Sequence, residues 1–194
     1  MVATRNRDKF REIQDKLRAL PLAILSLADF PFVGEVVEDQ PDLYGNAIKK
    51  ATEVARQTGL WAVADDTGLE VEALGGEPGV MSARYSGPGA TYESNCRKLL
   101  DAMREVPDGK RQARFRTVMC LRTGDGLYCV EGKVDGTITR AKHGTQGFGY
   151  DPVFLLPSGQ TMAEIGLEEK NRVSHRGQAL DRVAELLRFL LEKR

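Results

Sequence analysis

The stretch "LWAVADDTGLEV", residues 60–71, decides the fold class of this chain. Its apolar run "LWAVA" predicts a buried strand, and two adjacent acids, Asp65 and Asp66, follow that run directly. Charges at the end of a buried strand are costly unless something uses them. Because alternate side chains of a strand face opposite sides, Asp65 and Asp66 are expected to have different roles rather than to share one proton.

Helices and strands on both sides of this stretch predict a mixed α/β fold. Very short strands are expected for "MVAT" and for residues 22–27. Apolar spacings of three and four predict helices for residues 7–20, 42–58, about 92–105 and the segment that Ser174 caps. Alternation predicts a hairpin through "ARFRTVMCLRT", "GDG" and "LYCVEGKVDGTIT", and "DPVFLL" is a further predicted strand. A βαβαβ order followed by an antiparallel section and a helix indicates an α/β protein with a mixed sheet.

Composition narrows the class of protein. The 194 residues suit a single domain, 1–194, and 41% hydrophobic with 29% charged residues is typical of a globular chain. A formal net charge of +0 argues against a general nucleic-acid or anionic-membrane binder. The start of the chain has no apolar leader and no stretch is long and apolar enough to span a membrane, so we expect a cytoplasmic protein. Its three cysteines, Cys96, Cys120 and Cys129, are expected to be reduced.

Positive charges stand at two predicted helix starts. In "ATRNRDKF", Asn6 is a predicted N-cap, with Arg5 before it and Arg7 and Lys9 in the first turn. Cations oppose the helix dipole there by roughly 0.3–1 kcal/mol each, whereas the exposed N–H groups favour an anion. A bound phosphate would explain this arrangement, and solvated surface charge is the competing interpretation.

The second helix start and a glycine-rich segment can likewise be interpreted either as a ligand site or as ordinary structure. "SHRGQAL" places His175 and Arg176 in a first turn, with Lys170 just upstream. In "GTQGFGYDPVF", residues 144–154, closely spaced glycines let the backbone approach a flat ligand, and Phe148 and Tyr150 offer rings for stacking. A nucleobase pocket fits these features, and so does a turn that packs its aromatic residues in the core.

Acids upstream of the opening stretch indicate a metal ion. "VVEDQPDLYGNA" contains Glu38, Asp39 and Asp42, and a carboxylate close to phosphates needs a cation between them. Mg²⁺ suits that task, because it is bound by one or two carboxylates together with phosphate oxygens. Solvation of the strand end and capping of a loop are the competing interpretation for Asp65 and Asp66.

In combination and order, these segments resemble the inosine triphosphate pyrophosphatase family over nearly the whole chain. The motifs that carry the resemblance are "ATRNRDK", "EDQPDLYGNAIKKA", "ADDTGLEVEALGGEPGVMSARYSG", "GFGYDPVF" and "EEKNRVSHRGQAL". The resemblance implies Mg²⁺-dependent hydrolysis of ITP, dITP or XTP to the monophosphate and pyrophosphate. It also implies a homodimer and an elongated mixed β-sheet with flanking helices, in two lobes around a central nucleotide-binding cleft.

The resemblance also implies a role for individual residues. Asp66 is the expected catalytic acid, which activates water and binds the metal with Glu38. Alternation along the strand, rather than the resemblance, leaves Asp65 as the expected support for the loop. The expected substrate-binding residues are Thr4, Arg5, Asn6, Lys9, Thr67, Phe148, Gly149, Tyr150, Asp151, Lys170, His175 and Arg176. Two positions depart from the family pattern: Arg5 stands where glycine is frequent, and Gly45 stands where glutamate often precedes Asn-Ala.

Donors in the base pocket are expected to reward a purine with a 6-keto group and to disfavour the amino group of adenine. Two other functions remain open at this point. One is a pyrimidine pyrophosphatase of similar fold, acting on dTTP and UTP. The other is a nucleotide-binding module that does not hydrolyse its ligand.

Overall fold

The structure, a computed structural model, describes residues 1–193 and divides into two compact units. Unit 1 comprises residues 1–66, 117–132 and 175–193, and unit 2 comprises residues 67–116 and 133–174. Strands β1 (Ala62–Val71), β3 (Gln112–Arg122) and β4 (Leu127–Ile138) each contribute residues to both units. The opening stretch is therefore divided, because Asp66 ends a segment of unit 1 and Thr67 begins unit 2.

The remaining strands are short. Strands β2 (Pro78–Gly79) and β5 (Phe154–Leu155) complete a sheet of order β2-β1-β3-β4-β5. Strand β1 pairs antiparallel with β2, and β4 pairs antiparallel with β5, whereas Val2 makes isolated parallel bridges to Ser26 and Val63. The predicted α/β class is therefore confirmed, and parallel pairing occurs in the isolated bridges of Val2 rather than in these two strand pairs.

The helices follow the predicted periodicity, with ends set by their caps. They are α1 (Arg7–Leu17), α2 (Leu43–Thr58), α3 (Tyr92–Ala102), α4 (Leu167–Val173) and α5 (His175–Glu192). Asn6 caps α1 through its side chain, and Asp42 caps α2 in the same way. Gly59 ends α2 in the left-handed conformation, as predicted.

Three predicted strand boundaries are wrong. "MVAT" contributes only the bridges at Val2, and residues 22–27 contribute only the bridge at Ser26. "DPVFLL" begins as the 3-10 turn Asp151–Val153, so its strand is reduced to Phe154–Leu155. Short apolar runs carry little information about their ends, because tertiary pairing decides which residues extend.

Each unit has its own hydrophobic core. In unit 1, α1 packs on α5, and Ile13 and Leu17 are buried together with Leu180 and Val183. In unit 2, the core includes fully buried side chains from β1, α3 and β5. These cores hold the ends of the helices and strands that carry the predicted site residues.

Close packing in unit 1 fixes the start of α5 against β4. A Cβ on Gly132 would overlap the carbonyl oxygen of His175 and lie 2.7 Å from the amide nitrogen of Ala179. Only glycine lets the backbone of β4 come this near to α5. The position of His175 and Arg176 therefore depends on a residue that carries no side chain.

The prediction of three reduced cysteines is wrong for two of them. Cys120 in β3 and Cys129 in β4 form a disulfide, and Cys96 is a free, buried thiol. The hairpin brings Cys120 and Cys129 together, with their Cα atoms 4.2 Å apart, although nine positions separate them in the sequence. Within residues 1–193, no helix has the length and apolar character required to cross a membrane.

Candidate functional site

The two acids of the opening stretch have different partners, as alternation along the strand predicts. Asp65 and Asp66 are both buried, with 3% and 6% of their surface exposed. Asp65 forms ion pairs with Lys9 and Arg176, whereas Asp66 contacts Asn46 and Lys50 of α2. Their side chains therefore belong to two separate sets of interactions.

Asp66 and Glu38 converge on one ammonium group. The Nζ of Lys50 lies 2.5 Å from a Glu38 oxygen and 3.3 Å from Oδ1 of Asp66. The Nδ2 of Asn46 donates to Oδ2 of Asp66 at 3.1 Å. Asn46 and Lys50 are four residues apart on α2, so one face of this helix presents both groups to Asp66.

Burial and charge shift the pKa values of this set. Burial raises the pKa of Asp66 above its ordinary value, and neighbouring Glu38 adds to that rise against the opposing charge of Lys50. Burial alone would lower the pKa of Lys50, but the carboxylates of Asp66, Asp65 and Glu38 outweigh it and raise that pKa. Lys50 is therefore a cation held by contacts with Glu38 and Asp66, and the charge of Asp65 attracts it from farther away.

Asp65 lies in a second set, which we call the Asp65 cluster: Glu12, Arg176, Asp65 and Lys9. The Oδ2 of Asp65 lies 2.9 Å from Lys9 Nζ and 3.3 Å from Arg176 Nη2. Arg176 also donates through Nη1 to Glu12 Oε2 at 2.7 Å. Burial opposes ionisation of Asp65, but Lys9, Arg176 and Lys50 outweigh it and hold its pKa well below the ordinary range. Burial also lowers the pKa of Lys9.

The predicted phosphate-binding segment forms the turn into α1. Asn6 Oδ1 accepts from the backbone N–H groups of Asp8 and Lys9, and Thr4 Oγ1 accepts from the N–H of Asn6. Arg5 donates through Nη2 to the carbonyl of Val33 at 2.5 Å. Beside this turn is a pocket of about 300 Å³, lined by residues 4–7 together with Phe10, Ser26 and Ala28.

Gly45 is one of the two positions that depart from the family pattern. It lies in the first turn of α2, where its N–H donates to the Asp42 cap at 2.7 Å, rather than in the helix interior. A Cβ at this position would meet the Cβ of Gln40 at 2.7 Å. A larger residue would therefore require the Gln40 side chain to move.

Unit 2 holds a separate polar group built around Asp151. Its Oδ2 accepts from Lys170 Nζ at 2.5 Å and from the backbone N–H of Phe148 at 2.8 Å. The Nζ of Lys170 lies 4.6 Å from the centre of the half-buried Phe148 ring. Gly147 has a φ of +71°, and a Cβ there would overlap Oδ2 of Asp151, so this turn requires glycine.

The ring of Tyr150, which was predicted to be available for stacking, is buried in the core of unit 2, with 5% of the residue exposed. Its hydroxyl donates to the carbonyl of Ser82 at 2.9 Å, and burial raises its pKa. Cys96 donates to the carbonyl of Gly149 at 3.2 Å. Burial also raises the pKa of the Cys96 thiol to about 11, so it remains protonated at neutral pH. Of the two predicted stacking rings, Phe148 is the one that keeps appreciable exposure.

The predicted substrate-binding residues fall into two groups along the chain. Unit 2 contains Thr67, Phe148, Gly149, Tyr150, Asp151 and Lys170, and unit 1 contains Thr4, Arg5, Asn6, Lys9, His175 and Arg176. His175 and Arg176, predicted as part of the base pocket, are buried at the start of α5. Arg176 takes part in the Asp65 cluster, so its base-binding role stays a prediction.

Three residues of the site escaped the sequence analysis: Lys50, Asn46 and Glu12. All three are at least nine-tenths buried. One signal was present, because Lys50 falls in the apolar stripe of α2, between Ala47 and Val54. A charge on the buried face of a helix indicates a buried partner.

Glu38 and Asp66 could together hold a divalent cation. Glu38 and Asp66 bring carboxylate oxygens within 3.3 Å of one point, and the Lys50 ammonium stands at that point as a cation. Within residues 1–193, no group of three or more His, Cys, Asp or Glu side chains is arranged to hold a metal ion. Two carboxylates suffice for Mg²⁺ when substrate phosphates supply further oxygens.

Comparison with known proteins identifies the family. The family model described as Ham1 family matches residues 1–186. The chain belongs to the Ham1 family. A dITP/XTP pyrophosphatase of Geobacter sulfurreducens is 51% identical over 182 residues, which cover 93% of this chain and 92% of the relative. A dITP/XTP pyrophosphatase of Escherichia coli O157:H7 is 46% identical over 193 residues, covering 97% of each chain.

Solved Ham1 structures have the same fold. A HAM1 protein from Coxiella burnetii superposes with a TM-score of 0.87 at 39% identity, covering 96% of each chain. The Ham1 protein of Staphylococcus aureus superposes with a TM-score of 0.86 at 33% identity, with the same coverage. The family resemblance seen in the sequence motifs is therefore confirmed.

Proposed function

We propose that this Ham1 family chain is a nucleoside-triphosphate pyrophosphatase that hydrolyses ITP, dITP and XTP to the monophosphate and pyrophosphate. The observation that carries the proposal is the convergence of Glu38 and Asp66 on a single cationic atom, Lys50 Nζ. Relatives named dITP/XTP pyrophosphatase, at 51% and 46% identity, support the choice of substrates.

Glu38 and Asp66 would hold Mg²⁺, the metal that the family resemblance implies. When bound, Mg²⁺ supplies positive charge that makes a phosphorus atom more susceptible to attack. Lys50 would lose part of its contact with the two carboxylates and become available to a phosphate oxygen. Exchange of one cation for another keeps Asp66 compensated in both states.

Asp66 would orient and deprotonate the attacking water. The residue is 6% exposed and its carboxylate would lie beside the bound metal, so an oxygen that does not bind the metal could accept a proton from the attacking water. The Asn46 amide fixes the orientation of the Asp66 carboxylate through Oδ2. A positioned base of this kind contributes about 10²–10⁴-fold to a rate.

The turn at residues 4–9 would bind the triphosphate. Thr4, Arg5 and Asn6 line the pocket of about 300 Å³, and Lys9 lies in the first turn of α1. Lys9 keeps 18% of its side chain exposed although it is paired with Asp65. Its ammonium would stabilise the negative charge that builds on the phosphates as pyrophosphate leaves.

The residues of unit 2 would bind the base. Phe148 offers a half-buried ring for stacking, and the nearby Lys170 ammonium is a hydrogen-bond donor. A 6-keto group would accept from such a donor, whereas the amino group of adenine would leave donors facing each other. Thr67, Gly149, Tyr150 and Asp151, with His175 and Arg176 of unit 1, complete the proposed set of substrate-binding residues.

The test is pyrophosphate release by the purified protein from ITP, dITP, XTP, GTP, ATP, dTTP and UTP. Activity on the first three, lost on chelation and restored by Mg²⁺, supports the proposal. Equal rates on all seven would refute the selectivity. Preference for dTTP and UTP would instead favour a pyrimidine pyrophosphatase, and ITP binding without turnover would favour a non-hydrolytic module.

A matched pair of variants tests the role of Asp66. Asp66→Asn keeps the shape but removes the base and one metal-binding charge, so we expect kcat to fall by about 10²–10⁴-fold. Asp108→Asn, whose carboxylate is 80% exposed in a pair with Arg140, should match the wild type. Near wild-type kcat in Asp66→Asn would exclude Asp66 from catalysis.

A homodimer and a cytoplasmic location complete the proposal. The first rests on the family resemblance and the second on the nucleotide substrates. Light scattering coupled to size-exclusion chromatography measures the mass, which for a dimer is twice the 21.4 kDa of the chain.

A further inference from the structure

Glu12 is a buried carboxylate that the proposed reaction leaves without a role. It lies on α1, three residues after Lys9 and therefore on the same face of the helix. Only 4% of its surface is exposed, and it pairs with Arg176, of which 2% is exposed. Because an isolated charge at this depth is very costly, Glu12 and Arg176 must be treated as one unit with their neighbours.

Lys9 and Arg176 compete for one oxygen atom. Both approach Oδ2 of Asp65, Lys9 at 2.9 Å and Arg176 at 3.3 Å. A guanidinium binds a carboxylate most strongly with two parallel N–H groups. In the Asp65 cluster, Nη1 of Arg176 is instead directed to Glu12 at 2.7 Å, and Nη2 makes the longer contact with Asp65.

Glu12 therefore decides how the two cations share Asp65. With Glu12 ionised, the Asp65 cluster contains two anions and two cations, and each cation has its own nearest carboxylate. Without that charge, Asp65 is the ionised member of the Asp65 cluster that both cations still contact. Arg176, which is the more deeply buried of the two, would then move to a two-armed contact with Asp65, and Lys9 would be displaced.

We propose that Glu12 is a positioning residue: by holding Nη1 of Arg176, it reserves Asp65 for Lys9 and so fixes the place of the Lys9 ammonium. The consequence for turnover rests on the proposed function, in which Lys9 binds the phosphates. The consequence for the Lys9–Asp65 contact does not depend on that function.

Kinetics of matched variants test the consequence for turnover. Glu12→Gln removes the charge and keeps the shape, so displacement of Lys9 should lower kcat/KM for ITP by about 10–100-fold. Glu53→Gln is the control, since Glu53 also pairs with an arginine, Arg56 at 2.6 Å, but at the surface of α2. Assays are run well below both melting temperatures, and an unchanged kcat/KM in Glu12→Gln would overturn the proposal.

A double-mutant cycle separates positioning from general stability. Lys9→Met removes the group through which Glu12 is proposed to act. Adding Glu12→Gln to Lys9→Met should then lower kcat/KM by less than about twofold, because the two changes remove the same interaction. If the two reductions multiply, Glu12 acts independently of Lys9 and the proposal is wrong.

Crystal structures of the wild type and Glu12→Gln give a readout that needs no activity. We expect both arms of Arg176 on Asp65, and Lys9 Nζ beyond hydrogen-bond distance from it. An unchanged Lys9–Asp65 contact would overturn the proposal, even if the wild type lacked pyrophosphatase activity and the proposed function had failed.

A milder variant covers the case in which Glu12→Gln does not fold. Glu12→Asp keeps the charge but withdraws it by one methylene, so Lys9 should be displaced less and kcat/KM should fall by a smaller factor. The fall should again disappear in the Lys9→Met background. A reduction that persists there would count against positioning.

Discussion

Replacing Asp65 by asparagine removes one charge from the Asp65 cluster while preserving the shape of the side chain. Asp65 is the carboxylate that both Lys9 and Arg176 contact, and 2% of its side chain is exposed. After the change, Glu12 is the one acidic member that remains for two cations. Breaking a buried ion pair from one side destabilises a protein by about 3–5 kcal/mol, because the opposite charge is left uncompensated.

The structure places the expected value at the low end of that range. Lys9 keeps 18% of its side chain exposed and can turn towards water, whereas Arg176 keeps Glu12 as a partner. We therefore expect a loss of about 3 kcal/mol in the free energy of unfolding. For a chain of this length, that loss lowers the melting temperature by about 6–12 °C.

Thermal unfolding followed by circular dichroism at pH 7 measures this shift. Asp108→Asn is the control, since its carboxylate is 80% exposed in the pair with Arg140, and it should change stability by less than about 1 kcal/mol. A difference of roughly 2 °C in melting temperature is the effect of a small surface change. If the melting temperatures of Asp65→Asn and Asp108→Asn differ by less than that, the reasoning about the Asp65 cluster is refuted.

The difference in melting temperature between the wild type and Asp65→Asn should depend on pH in a defined direction. Folding lowers the pKa of Asp65 from its ordinary value of 3.8, so the carboxylate stabilises the folded state fully above that pH. Its contribution is lost progressively as the pH falls below 3.8. The gap in melting temperature between wild type and Asp65→Asn should therefore narrow on acidification, and a gap that widened would contradict the assigned direction.

Two further predictions concern packing and covalent structure. Gly132→Ala should lower the free energy of unfolding by about 1–3 kcal/mol or more, because the added methyl group would overlap the carbonyl oxygen of His175. Gly34→Ala is the control: a Cβ there would have nothing within 4 Å, so its melting temperature should be close to that of the wild type. Because a disulfide joins Cys120 and Cys129, alkylation of the unfolded, unreduced protein should label a single cysteine, Cys96. Alkylation after reduction should label all three cysteines. Three labelled cysteines without reductant would contradict the disulfide.

Much of the fold followed from local pattern. The caps at Asn6 and Asp42 and the stop at Gly59 are short-range features, so the helices α1 and α2 could be predicted closely. The hairpin of β3 and β4 could be predicted equally well, because the alternation of apolar and polar residues and the "GDG" turn both indicate it. The structure of residues 22–27 was predicted wrongly, because whether a short apolar run pairs as a strand depends on neighbours that are distant in sequence.

The sequence by itself determined that Asp65 and Asp66 must act separately, because the direction of side chains along a strand is a local property. Only the tertiary structure decided their partners. Lys50 reaches Asp66 from a helix 16 positions earlier, and Arg176 reaches Asp65 across 111 positions. Charge pairing in a buried site depends on distances in space, which a sequence pattern does not contain. For the same reason, the pairing of Glu12 with Arg176 could be recognised only in the folded chain.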